Sequence, residues 1–231
     1  RDLHSFPTRR SSDLETFVGN AHIASPDVHI LEKEKKIGMY FHSNLKGTGI
    51  YQDQNQTSYY ADSADGINFT AYPTLLAPFY IRTFEHDGAI YGLAKNDNES
   101  GILLRSQDGK SLFERGPTFI KNFRHCALLK RDDIMFVFFT RVGDKPESIL
   151  LSQIRLNSDW QTWTLSEPEI VLKPEMVWEG SKMWAHKSEH GSTKPTKALR
   201  DPCIFEENGK IYLLYSVKGE YGIAIAEIEG I

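Results

Sequence analysis

Four carboxylates in this chain sit where they could do acid–base chemistry. Asp27 and Asp201 each adjoin a proline at the start of an apolar run, in Ser25-Pro26-Asp27 and Arg200-Asp201-Pro202. The fixed φ of proline stiffens the backbone at both places. Glu220 follows Lys218-Gly219, and Glu179 lies in Val177-Trp178-Glu179-Gly180, within a long irregular connection. Two carboxyl groups facing one another across a cleft are the minimum for cleaving a glycosidic bond, one as acid and one as base or nucleophile. Mutual repulsion and burial then split their pKa values. Asp27 and Asp201 fit equally well as structural acids that bond backbone amides or pair with arginines.

Basic residues recur beside these acids. Arg82, Arg124 with His125, and Arg200 each open an apolar run, while His42, Asn96, Arg141 with Asp144, and Glu220 close one. Converging arginines suit carboxylates, phosphates or sugar hydroxyls. Trp160, Trp163, Trp178 and Trp184 fall in one connection. Trp178 or Trp184 could stack on a sugar ring, or simply pack the connection. His186 and His190 have the spacing of a metal pair on a helix, but Lys187, Ser188, Glu189 and Gly191 around them read as loop, so no metal is assigned. There is no phosphate-binding glycine loop, nucleophile elbow or dinucleotide fingerprint, and no cofactor is expected. With 27 basic and 31 acidic residues the net charge is -4, which gives no electrostatic reason to expect nucleic acid or a membrane surface as partner.

The elements that position these residues are strands. From residue 15 onward, short alternating apolar runs are broken by Asp-Gly at 65–66, 87–88 and 108–109 and by Asn-Gly at 208–209. Such dipeptides between apolar runs signal hairpins. One hairpin type appears four times, over 28–42, 83–93, 127–139 and 203–215. A second type, small–Ser–x–Asp-Gly–x–x–Phe, appears at Ala61–Phe69 and Leu104–Phe113, with Asp65 and Asp108 43 positions apart. A degenerate third copy runs from Leu151 to Trp160. Two hairpins per unit make a four-stranded antiparallel sheet, and a period of about 40–50 residues is the mark of β-propeller blades. A β-sandwich is the competing architecture.

Counting hairpins predicts about four blades over residues 15–231, read as a single incomplete domain. The last blade, one strand short, suggests five blades in all, with the first blade and the closing strand missing from this chain. Residues 2–14 have no structural period and resemble a translated sequencing adapter, so 1–14 is read as non-native and the chain as N-terminally truncated. Cellular compartment is not legible from such a start. Cys126 and Cys203 are expected to be buried free thiols.

Ser25-Pro26-Asp27-Val28 before Met39-Tyr40-Phe41-His42, and Arg200-Asp201-Pro202-Cys203 before Tyr212-Leu213-Leu214-Tyr215, resemble the five-bladed propeller glycosidases of families 32, 43 and 68: arabinanases, xylosidases, invertases and levansucrases. Arg124-His125-Cys126-Ala127 and Thr140-Arg141-Val142-Gly143-Asp144 with Pro146-Glu147 are similar to an uncharacterised bacterial branch of that group. The resemblance implies a funnel-shaped site with a base or nucleophile, an acid, and an aspartate that orients or tunes. Asp27 matches the aspartate of the second blade's inner strand. Asp201 stands in an Arg-Asp-Pro like that of the invertase group. Glu179 is the better match for the acid, Glu114 reading as a turn residue. The expected function is hydrolysis of a plant or microbial oligo- or polysaccharide by Asp27, Asp201, Glu179 and Glu220. His42, Arg82, Arg124, His125, Arg141, Arg200 and Trp178 would bind the carbohydrate substrate, the full-length protein being a monomer. The alternatives are a non-catalytic carbohydrate-binding propeller and a propeller scaffold with a merely structural polar centre.

Overall fold

The computed structural model describes residues 22–45, 48–97, 99–157, 159–187, 191–192 and 194–231. The adapter-like segment 1–14 and His190 lie outside them. The described strands form four antiparallel sheets, each built from strands consecutive in sequence. The first joins β1 (Ile23–Leu31), β2 (Lys36–Ser43), β3 (Thr57–Ser63) and β4 (Thr70–Pro78). The second joins β5 (Arg82–His86), β6 (Ala89–Asn96), β7 (Ser100–Ser106) and β8 (Glu114–Lys121). The third joins β9 (Phe123–Arg131), β10 (Ile134–Arg141), β11 (Ile149–Arg155) and β12 (Glu169–Leu172). The fourth has three strands, β13 (Arg200–Glu207), β14 (Lys210–Val217) and β15 (Gly222–Ile228). The described residues thus form the four blade-like sheets that hairpin counting predicts, and no fifth is found among them.

The turns explain the repeat. Asp87-Gly88 and Asn208-Gly209 both take positive φ at each position, 47° and 72° in one and 53° and 75° in the other. That is the twist-matched hairpin turn, which Asn, Asp and Gly tolerate best. The Asp-Gly turns of the second type are copies of each other. Asp65 Oδ1 accepts from the Ile67 and Asn68 amides at 2.9 and 2.8 Å. Asp108 Oδ1 accepts from the Lys110 and Ser111 amides at 2.9 Å each. These backbone donors stabilise the ionised form, so both carboxyls lie below their ordinary value, Asp108 at about 2.

The chain divides into two compact units. The first holds β1–β4 together with Ser106–Phe113. Its core groups Phe41, Tyr59 and Ala61 with Met39, Leu45, Phe69 and Leu75. The second holds Arg82–Arg105 and Glu114 onward. Its larger core includes Phe84, Tyr91, Leu93, Phe123, Val137, Phe139, Trp160 and Trp163. Trp160 and Trp163 are buried, so packing is their role. Trp178 and Trp184 are exposed. Cys126 is a buried free thiol as expected, whereas Cys203 is exposed, on the uncovered face of β13.

The strand register corrects one equivalence suggested by the sequence. In β1, Ala24 pairs with His42 and Asp27 with Tyr40, so the register slips by one residue between them. In β13, Arg200 pairs with Ser216 and Cys203 with Leu214, the same slip. At both slips the residue before proline is left-handed, Ser25 at φ 51° and Asp201 at φ 49°. Asp201 therefore corresponds to Ser25, and Asp27 corresponds to Cys203. The two Asp–Pro neighbourhoods look alike in sequence, but Asp precedes the proline in one and follows it in the other.

Trp163 is 2% exposed, with its ring 4.7 Å from that of Tyr91 and its indole N–H donating to the Asn157 carbonyl at 3.0 Å. Trp163→Ala removes both contacts and is expected to cost ~3–5 kcal/mol in urea unfolding. A loss under about 1 kcal/mol would show that this core relaxes around the cavity.

Candidate functional site

The second unit brings together residues far apart in sequence. Arg124 lies near the start of β9, Arg200 starts β13, and Glu147 lies between β10 and β11. All three are at most 3% exposed. Glu147 Oε1 is 3.1 Å from Arg124 Nε, and its Oε2 is 2.8 Å from Arg200 Nε. The Leu199 amide donates to the Glu147 carbonyl at 3.0 Å, which ties the acid's backbone to the lead-in of β13. Burial pushes the Glu147 carboxyl up, and the two guanidinium groups pull it back toward the ionised form. A buried carboxylate held between two arginines is costly to assemble and more costly to break.

Arg200 continues the chain of charges. Its Nη1 is 2.9 Å from Glu220 Oε1, which also accepts from the Ser192 amide at 3.2 Å. Glu220 remains partly open to solvent. Lys95, on β6, is buried at the same cluster. Burial first, and the Arg124 charge second, lower its ammonium from about 10.5 to about 8.

The residues following the two arginines meet as well. His125 Nδ1 pairs with Asp201 Oδ1. The Ser216 hydroxyl donates to Asp201 Oδ2 at 3.0 Å. Burial pushes the Asp201 carboxyl up, but His125, the Ser216 hydroxyl and Arg200 outweigh it and hold the group at about 2.

The remaining candidates are placed as follows. Glu179 is buried, and its carboxylate accepts from the Tyr215 hydroxyl at 3.0 Å and the Glu175 and Met176 amides at 2.9 and 2.8 Å. That is the environment of an acid that fixes a turn. Arg141 is partly exposed and pairs with Asp144 at 3.0 Å. Arg82, at the start of β5, is partly buried. In the first unit, Asp27 Oδ2 is 2.9 Å from His29 Nε2. His42 is buried there, its ring 4.5 Å from that of Tyr80. Among the described residues no His, Cys, Asp and Glu cluster could hold a metal ion. Sequence reading marked Arg124, His125, Arg200, Asp201 and Glu220 but gave no role to Glu147 or Lys95. The available signal was charge balance, since arginines opening buried strands require a buried acid.

No protein-family profile matches the chain. It is 35% identical over 225 aligned positions to an uncharacterized protein of Acanthamoeba polyphaga mimivirus, covering 89% of this chain and 61% of that protein. The chain thus spans about three fifths of its relative's length. That relative is viral and gives no support to a bacterial branch. Solved structures resemble the chain more broadly. An endo-1,4-β-xylanase from Bacteroides thetaiotaomicron superposes with a TM-score of 0.63 at 16% identity, over 90% of this chain and 69% of its own. A thermostable family-43 glycoside hydrolase gives 0.62 at 15%, over 92% and 70%. A Cellvibrio cellulosa α-L-arabinanase complexed with arabinohexaose gives 0.57 at 10%, over 98% and 79%. At such identities the likeness carries the fold. The fold is an all-β propeller, with four blades among the described residues.

Two consequences are measurable. Glu147→Gln leaves two buried guanidinium groups without their carboxylate and is expected to lower stability by ~3–5 kcal/mol in denaturant titration. An unchanged midpoint would mean that the cluster is solvated. Lys95 binds its proton more weakly folded than unfolded, so its contribution to stability rises with pH between about 8 and 10.5. The difference between wild type and Lys95→Met, followed by thermal unfolding, should carry that slope. Parallel curves would place Lys95 in water.

Proposed function

We propose that the protein is a carbohydrate-active propeller that hydrolyses glycosidic bonds of an oligo- or polysaccharide. The observation that carries this reading is the charged cluster of Arg124, Glu147, Arg200, His125, Asp201 and Glu220, built on blades of a glycosidase-like fold. The buried guanidinium groups, fixed by a shared carboxylate, hold the more accessible Asp201 and Glu220 in place, and these can meet sugar hydroxyls. Glu220 is the best-suited acid of the cluster. It is partly open to solvent, whereas three donors occupy Glu179. Asp27 is a separate candidate carboxylate in the first unit. Arg82, Arg141 and Trp178 are proposed carbohydrate contacts, whereas the burial of His42 leaves it a packing role.

A second reading, a non-catalytic carbohydrate-binding propeller, is favoured by one feature. Asp201 is already engaged by His125 and Glu220 by the Arg200 guanidinium, which suits recognition as well as turnover.

The test is calorimetric binding and product analysis with arabinohexaose, a xylo-oligosaccharide, sucrose and galactose. Hydrolysis is expected, and Glu220→Gln should lower kcat by about 10²–10⁴-fold with a smaller change in KM. Binding without turnover by the wild-type protein would favour the second reading. Absence of binding to any carbohydrate would sink both.

A further inference from the structure

Glu220 is exposed, and both of its donors fall on one oxygen. Arg200 Nη1 lies 2.9 Å from Oε1, and the Ser192 amide donates to the same oxygen at 3.2 Å. Among the described residues no donor reaches Oε2. The connection that carries Ser192 is tied to the segment that carries Glu220. The Thr196 amide donates to the Lys218 carbonyl at 3.2 Å, and the Gly219 amide donates to the Ala198 carbonyl at 3.0 Å. Gly219 permits this approach. It takes φ 82°, and a Cβ there would stand 2.8 Å from the Ser192 Cβ, closer than side chains pack. The Ser192 hydroxyl donates to the Lys194 carbonyl at 2.9 Å, within its own connection. Gly191 lies beside the other oxygen. A Cβ at 191 would stand 3.4 Å from Glu220 Oε2 and 3.8 Å from Oε1, on a backbone that any residue adopts.

We propose that Glu220 meets its ligand through Oε2, that the Ser192 amide is the positioning latch that holds Oε1, and that Gly191 keeps the approach to Oε2 clear. The proposal rests on the carbohydrate reading for its ligand, but not for the latch. Each carboxylate oxygen offers two lone pairs, and a guanidinium N–H and an amide N–H take both of those on Oε1. Neither donor gives up its proton, so any proton that Glu220 carries sits on Oε2. The same oxygen then accepts from a sugar hydroxyl when ionised and donates when protonated. Two donors on one oxygen also fix the rotation of the carboxylate, which a solvated glutamate lacks. A side chain at 191 would grow from a point in contact with Oε2, in the space a ligand hydroxyl takes. Gly191 is thus a specificity-determining residue, and Ser192 with Gly219 positions the carboxylate it serves.

The test first reads the Ser192 amide proton by NMR across about pH 3–7, where carboxyl groups titrate. In the wild-type protein its chemical shift should follow the ionisation of Glu220, and in Glu220→Gln that dependence should vanish. A wild-type shift that ignores pH, or a dependence that survives in Glu220→Gln, overturns the latch. Gly191→Ala, Gly191→Leu and Ser192→Pro are then titrated with arabinohexaose, a xylo-oligosaccharide, sucrose and galactose. For whichever binds the wild-type protein, affinity should fall with side-chain size at 191, by about tenfold or more for Leu. Ser192→Pro removes the amide donor and should lose about tenfold as well. Unfolding midpoints are read beside each titration, and Gly191→Thr stands in if Leu unfolds the chain. Equal affinity across the 191 series overturns the role of Gly191, and undiminished binding by Ser192→Pro overturns that of Ser192. A titrating amide in a protein that binds none of these sugars overturns the carbohydrate reading and the role of Gly191, and leaves the latch standing.

Discussion

The shared carboxylate of Glu147 is the interaction on which the second unit's polar cluster depends. Two guanidinium groups cannot be buried together without an acid between them, because each charge taken from water costs several kcal/mol even after relaxation. Glu147 compensates Arg124 on one side and Arg200 on the other. It therefore joins the start of β9, the start of β13 and the connection between β10 and β11. The ordering of His125, Asp201 and Glu220 follows, since each is adjacent to, or bonded to, one of the clamped arginines.

The cluster also separates its ionisable groups by environment. Asp201 is held down by a histidine, a hydroxyl and an arginine. Glu147 is raised by burial and opposed by its arginines. Lys95 is lowered by burial beside like charge. Ionisable groups of one cluster so acquire different protonation behaviour, which acid–base sites and polar recognition sites both require. Glu179 follows other rules. Two amides and a tyrosine hydroxyl commit its carboxylate to a turn, and burial with that bond pushes the Tyr215 phenol up to about 12.

Much of the fold was legible because its signals are local. Asp87-Gly88 and Asn208-Gly209 suit positive φ, and alternating residues around short polar turns demand strands, so all four hairpins of the first type fall where the sequence predicts. The four sheets found are those the hairpins count, but the five-blade total was less secure, being inferred from a sheet one strand short rather than from residues present. Arg124, His125, Arg200 and Asp201 were legible as a group because charged residues opening apolar strands are conspicuous. Glu147 was not, because Pro146-Glu147-Ser148 lies in a connection whose composition matches any solvated loop.

The sequence by itself determined the repeat, the antiparallel blades and the polar starts of their inner strands, because turn chemistry and alternation act over a few residues. Only the tertiary structure decided which charges meet. Asp27 and Asp201 look equivalent beside their prolines, yet a one-residue slip in register gives them different places in their strands. The partners of Arg200 lie 53 positions before it and 20 after it, at Glu147 and Glu220. Long-range ion pairing depends on how strands pack, and no local spacing encodes it.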